Sequence, residues 1–184
     1  MPKSERITLG SGKLYMKEHT GTFPEDMATF CTDDNLVGYI KGGAKLQYTP
    51  TFYTAKDDLG YVSKEIITTE EVHLTAGVMT FNGNVLKQLT PTARVSEDTA
   101  KHLRTTLIGG VGNRDGKSYD IVFHHEDPAD GDIWVGIVGT NQTGFSLGFL
   151  VDSETVIDAD FVAKPLDADG SLIKYIEADA SITA

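Results

Sequence analysis

Residues 44–52, AKLQYTPTF, alternate without a break: Leu46, Tyr48, Pro50 and Phe52 fall on one side, Lys45, Gln47, Thr49 and Thr51 on the other. A period of two marks a half-buried β-strand. Pro50 cannot donate to a ladder, which predicts an edge or a bulge there. The partner follows at 62–78, VSKEIITTEEVHLTAGV, with Val62, Ile66, Val72, Leu74, Ala76 and Val78 read as one face. Between them AKDDLG supplies Asp57, Asp58 and Gly60 for a turn. These signals predict one long hairpin over about 44–79. Its distal half is rich in threonine and charge, so it is expected to project beyond the core with little to bury.

The same period governs most of the chain. Strands are predicted where Tyr119, Ile121 and Phe123 alternate with polar residues, in DIWVGIVG (132–139), in GFSLGFLV (144–151), in TVIDADFVAK (155–164) and in SLIKYIE (171–177). TNQT (140–143) and DADG (167–170) read as turns. Helical spacing is found in NGNVLKQLTP (82–91), where Val85, Leu86 and Leu89 share a face, Asn82 or Asn84 serves as a cap and Pro91 ends the run. SEDTAKHL (96–103) suggests a further helical turn. The expected architecture is a mainly-β single domain over 1–184 (α+β by strict class). It has two packed antiparallel sheets, as a sandwich or partly open barrel, with one short flanking helix at about 83–90, a projecting hairpin and an N-terminal arm over about 1–12.

Composition narrows the function. The chain has 184 residues, 40% hydrophobic and 23% charged, which is ordinary globular composition. Twenty-seven acids against 16 bases give a net charge of −11. That opposes a role in gripping nucleic acid, which needs clustered basic surface, but suits a surface past which nucleic acid slides. Cys31 is the one cysteine, so no internal disulfide is possible and a multi-cysteine zinc site is excluded. The opening MPKSERITLG has no apolar run of signal-peptide length, and IWVGIVG is too short to span a membrane. These features are expected of a soluble protein made in a cytoplasm.

The motifs that suggest chemistry each fail on spacing. In FHHED, His124 and His125 are neighbours on a strand and point to opposite faces, so at most one could join a metal site, and no spacing gathers His19, His73 or His102 around it. No metal is expected. DPADGD from Asp127 lacks oxygen donors at the third and fifth positions of a calcium loop, where Ala129 and Gly131 stand. DADGS from Asp167 has its glycine too early and Ala178 at the twelfth position, so both are read as turns. GGVGNRDGK (109–117) places five residues between Gly110 and Gly116, or three from Gly112, where a phosphate loop needs four, and a strand follows it. No G-x-S-x-G elbow is present, and Cys31 has no basic neighbour in sequence to activate it. No catalytic residue, metal or cofactor is assigned, and the expectation is a protein that is not an enzyme. The alternatives are a non-catalytic β-sandwich binding module for carbohydrate or a receptor, and a small metal-dependent β-barrel enzyme using His124 or His125.

Four segments taken in order carry a resemblance: GKLYMKEHTGTFPED (12–26), NLVGYIKGGAKLQYTP (35–50), GVMTFNGNVLKQLTP (77–91) and ADFVAKPLDADGSLIKYIEAD (159–179). Together they resemble the major tail proteins, or tail tube proteins, of long-tailed bacteriophages, especially those of Gram-positive hosts. The resemblance implies two packed sheets flanked by a helix, and homo-oligomeric hexameric rings whose inner strands close a shared barrel around an acidic lumen. It implies rings stacked into a tube through which DNA passes without specific binding, and partners among the other tail proteins: tape measure, tail tip and terminator. It also implies a place in the virion tail after assembly in the host bacterial cytoplasm. A stacking hairpin is implied at the tip of the long arm, residues Thr54, Ala55, Lys56, Asp57, Asp58, Leu59, Gly60 and Tyr61.

Overall fold

A computed structural model describes residues 10–180 and 182; most of the expected N-terminal arm, residues 1–9, lies outside the described residues. The protein is mainly β: 47% of the described residues are strand and 10% are helix, two short 3₁₀ turns included. The strands are β1 (Lys13–Glu18), β2 (Leu36–Lys56), β3 (Ser63–Val78), β4 (Arg94–Asp98), β5 (Leu103–Leu107), β6 (Tyr119–His125), β7 (Ile133–Asn141), β8 (Ile157–Lys164) and β9 (Lys174–Glu177). The helices are α1 (Met27–Phe30), a single turn, and α2 (Gly83–Leu89); of the two caps expected, Asn82 or Asn84, Asn82 serves, its side chain accepting from the N–H groups of Asn84 and Val85.

The large antiparallel sheet runs β6-β1-β2-β3-β8-β7, and β6 then pairs with β7. The packed faces expected from the sequence are thus opposite walls of one closed six-stranded barrel. A small two-stranded ribbon, β4-β5, forms the second sheet. One edge of β7 carries β6 along its length. The other is divided, with β8 against Val138–Asn141 and β9 against Ile133–Gly136.

Alternation sorts the side chains into two cores. Leu14 and Met16 of β1, Leu74, Ala76 and Val78 of β3, and Phe161 of β8 fill the barrel, and Val85 and Leu89 of α2 join the same cluster. Tyr15, Val122 and Val138 point outward beneath Phe23, Met27 and Phe30 of the 19–35 segment. β6 and β7 are therefore covered on both faces. Burying each large apolar side chain contributes about 1.5–3 kcal/mol. Gly136 permits the outer layer to approach: an added Cβ would stand 2.5 Å from Phe23 Cζ and 2.6 Å from Met27 Sδ.

Because neighbouring strands are antiparallel throughout, successive connections leave from alternate ends of the barrel. The β2–β3 turn and the 126–132 turn leave one end, while residues 165–173 join β8 to β9, which run in the same direction along one edge of β7. The 19–35, 79–118 and 142–156 connections leave the other.

Several expectations are corrected. The helical turn read in 96–103 is the β4-β5 hairpin: Val95, Thr105 and Thr106 are β-branched and extended, and the apparent cap signal belongs to a turn in which Asp98 accepts from Lys101 N–H and His102 takes φ +53°. The strand read in 144–151 does not form; the 142–156 connection runs irregularly, with Phe149, Leu150 and Val151 exposed. SLIKYIE contributes strand over Lys174–Glu177 alone. Ile66 does not share the Leu74 face. The register passes from Thr51↔Thr69 to Phe52↔Ile67, so Thr68 is a bulge and Ile67 takes that face instead.

Candidate functional site

The 21-residue β2 and 16-residue β3 are far longer than their neighbours. β2 leaves β1 after Tyr39, and β3 meets β8 no nearer the tip than His73. Beyond those points, among the described residues, the two strands pair only with each other. Gln47 to Lys56 is ten residues, which at about 3.3 Å per residue gives an arm of roughly 33 Å. Both outer edges of the arm carry ladder groups with no strand beside them among the described residues.

The arm is held by its own ladder and a few side chains. Tyr48 Oη donates to Glu70 Oε1 at 2.6 Å, which raises the Tyr48 pKa, and Thr54 Oγ1 donates to Glu65 Oε2 at 3.1 Å. At the bulge, Thr68 Oγ1 donates to the Thr51 carbonyl. The tip is closed by Asp57: its N–H donates to Val62 O at 3.1 Å, its carbonyl accepts from Gly60 N–H at 3.0 Å, and its carboxylate accepts from Val62 N–H at 2.7 Å. Gly60 takes φ +72°, where a side chain would be strained.

Of the residues named for the stacking hairpin, Thr54, Ala55 and Lys56 end β2, and Asp57, Asp58, Leu59, Gly60 and Tyr61 form the turn; all are exposed. The expectation that the arm has little to bury is corrected. Phe52 and Ile67 pair on one face and Tyr53 and Ile66 on the other, all about half exposed, while Leu59 and Tyr61 at the tip reach 77% and 84%. Isolated surface hydrophobes are ordinary, but a run of them on both faces of a two-stranded ribbon leaves that ribbon marginal in water. The sequence signal was present in the aromatic and β-branched content of 52–67. It was obscured by the threonines and charges between, and by the bulge.

The residues weighed for chemistry are not gathered together. His124 stacks on Trp134, its ring centroid 4.9 Å away, and its Nε2 lies 3.0 Å from Asp132 Oδ2. His125 points the other way, is buried, and its Nδ1–H donates to the Ser11 carbonyl at 2.8 Å. His19, just past β1, meets Asp120 of β6 at 2.6 Å, and His73 of β3 meets Asp160 of β8 at 2.9 Å. Among the described residues no group of three or more His, Cys, Asp or Glu side chains is placed to hold a metal ion. Burial pushes the Cys31 thiol up to about 12, with the Asp26 charge adding to it, the opposite of an activated nucleophile. Asp127 accepts from Ala129 and Asp130 N–H, and Asp167 from Ser171 N–H, so both acidic segments are closed by their own first aspartate. The 109–117 loop contains a 3₁₀ turn at Val111–Asn113 and runs into β6, not into a helix. Among the described residues no helix is long and apolar enough to cross a membrane.

No family model matches the chain, and no curated protein matches it either.

Proposed function

We propose that this chain is a structural subunit of a phage tail tube, which assembles into hexameric rings and stacks them into a conduit for DNA. The observation that carries the reading is the arm, a two-stranded ribbon of roughly 33 Å with apolar side chains on both faces and, among the described residues, both edges unpaired. Such an element gains stability when a second chain covers it. Association through strand edges and apolar faces is the chemistry of self-assembly, and a ring of subunits closes edges that would otherwise aggregate.

Two further features support the reading. The order of strands, arm and helix is the order that the tail tube resemblance implies. The charge of −11 suits a lumen wall that repels phosphates, so that DNA slides past without being held. On this reading the protein catalyses nothing, needs no cofactor, resides in the virion tail, and meets tape measure, tail tip and terminator proteins at the ends of the tube.

The test is electron microscopy and sedimentation of purified protein at rising concentration, beside a variant in which residues 56–60 are replaced by a two-residue turn. Rings or tubes are expected from the parent. The shortened chain should keep the β circular dichroism signal and the barrel while failing to build tubes. A parent that stays monomeric at millimolar concentration, with tail tip components added, refutes the proposal. Long tubes from the shortened chain would refute the role of the arm.

A further inference from the structure

Outside the arm, the longest run of exposed apolar side chains lies in the connections that leave the opposite end of the barrel. Leu103 and Leu107 of β5, Ile108, and Val111 at 92% exposure lie in the 79–118 connection, and Phe149 and Val151 in the 142–156 connection. The two apolar surfaces are different in kind, one a projecting ribbon and the other a hairpin with neighbouring loops. They lie on connections that leave opposite ends of the barrel.

Charge divides the same way. Residues 79–118 hold six lysines and arginines, among them Arg94 and Arg114, against Glu97, Asp98 and Asp115, a net of +3 in a chain whose total is −11. The arm, residues 47–71, holds Lys56 and Lys64 against five acids, including Asp58 and Glu71, a net of −3. An acidic apolar ribbon at one end and a net-basic connection carrying an apolar hairpin at the other are complementary between copies. A contact between two unlike patches on opposite ends repeats without closing on a pair.

We infer that the arm of one copy docks on the β4-β5 hairpin and the adjoining 108–111 turn of a second copy of this chain, head to tail. This rests on the self-assembly reading above and names the surface that receives the arm. The contact is heterologous: each copy offers one arm and one acceptor, so addition continues until an end is blocked.

Sedimentation of the wild-type protein comes first; if it does not associate, the self-assembly reading itself falls. Given association, Leu59→Cys and Leu107→Cys proteins carrying tags of different mass are mixed and treated with a bismaleimide. Cys31 stays in place, because its raised pKa leaves it slow to react, and the parent serves as control. The expected product joins one L59C chain to one L107C chain, and L59C alone gives no dimer. Efficient L59C–L59C coupling, or no mixed product from chains that do associate, overturns the docking proposal and leaves self-assembly standing. Charge reversal gives a second reading. D58K/E71K and R94E/R114E should each weaken association by about tenfold or more, and all four changes in one chain should recover most of it. Mixing the two single-end variants should restore growth as an alternating chain, since intact arm meets intact acceptor and reversed arm meets reversed acceptor. Failure of the fourfold variant to recover, with circular dichroism showing it folded, also overturns the proposal.

Discussion

Replacing Asn141 by alanine should destabilise the protein by about 2–4 kcal/mol. Asn141 sits at the end of β7, buried, and uses every polar valence of its amide. Its Nδ2 donates to the carbonyls of Leu89 at 3.0 Å and Gly144 at 2.8 Å, and its Oδ1 accepts from Asp160 N–H at 3.0 Å and from Thr143 Oγ1 at 3.0 Å. One side chain thus ties the last turn of α2, β8 and the start of the 142–156 connection. Alanine removes four bonds, each with a net contribution of about 0.5–1.5 kcal/mol. Thr143 is exposed and regains water, which discounts that bond. Leu89 is wholly buried, and leaving its carbonyl unpaired costs about 1–3 kcal/mol on its own. For a domain of this size, 1 kcal/mol corresponds to roughly 2–4 °C in Tm, so a fall on the order of 4–16 °C is expected. Urea and thermal unfolding of wild type and N141A, followed by circular dichroism and Trp134 fluorescence, give the comparison. Asn141→Asp keeps the acceptor but turns a carboxylate toward the Leu89 carbonyl, and should be at least as damaging near neutral pH. A change below about 0.5 kcal/mol for N141A would show that water replaces these bonds and that the side chain does not tie helix to barrel.

Other substitutions probe the two cores, the arm and the titrating groups. Gly136→Ala should cost about 1–3 kcal/mol, read by urea unfolding, because the new methyl would overlap Phe23 and Met27. Phe52→Ser with Ile67→Ser should shift monomer stability by about 0.5 kcal/mol or less, since both are half exposed, while reducing assembly in sedimentation. Asp120 has a raised pKa, chiefly from burial, with His19 pulling the other way. A carboxyl whose folded pKa lies above its unfolded value contributes stability that is present below the unfolded pKa and lost as pH rises through the folded one. The stability of wild type relative to D120N should therefore fall as pH is raised from the acid range of the free carboxyl toward neutral, which unfolding titrations at several pH values measure. Cys31, pushed up to about 12 chiefly by burial, should react with a thiol reagent at pH 8 more slowly than a free thiol, and unfolding in urea should accelerate the labelling.

The strands that face a core on one side at least were legible from period alone. Leu74, Ala76 and Val78 on β3, and Ile157, Ala159 and Phe161 on β8, occupy the face their alternation assigns. Asn82 capping α2 was legible for the same reason, since cap and apolar spacing agree locally. Closure of the barrel was not, because the pairing of β6 with β7 and the divided edge of β7 depend on long-range register that no local pattern records. Nor was the ribbon at 94–107, where Thr and Arg leave no apolar period and a turn imitates a helix start. The arm was legible as a hairpin, and its tip was placed where the turn lies, at Asp57 to Gly60. Its exposed apolar faces were not, since alternation says that a face is apolar and is silent on what lies against it. The failure at Ile66 has a single cause, one unpaired residue at Thr68.

The arm also carries a mismatch near its base. β2 holds Gly42 and Gly43 between Lys41↔Gly77 and Ala44↔Ala76, two residues that face none on β3, both in the left-handed region. An insertion of two keeps the phase of a pleat, whereas the single residue at Thr68 inverts it. The ribbon therefore behaves like a written frame. Excising both glycines shortens one strand and leaves every distal side chain on its own face. Excising either one alone turns over the whole of β2 beyond it, carrying Leu46 out of the barrel and Lys45 in. Removing Thr68 touches no core residue and leaves Ile67 against Phe52 and Ile66 against Tyr53, so the tip keeps its apolar faces and loses only the bend that carries them away from the base.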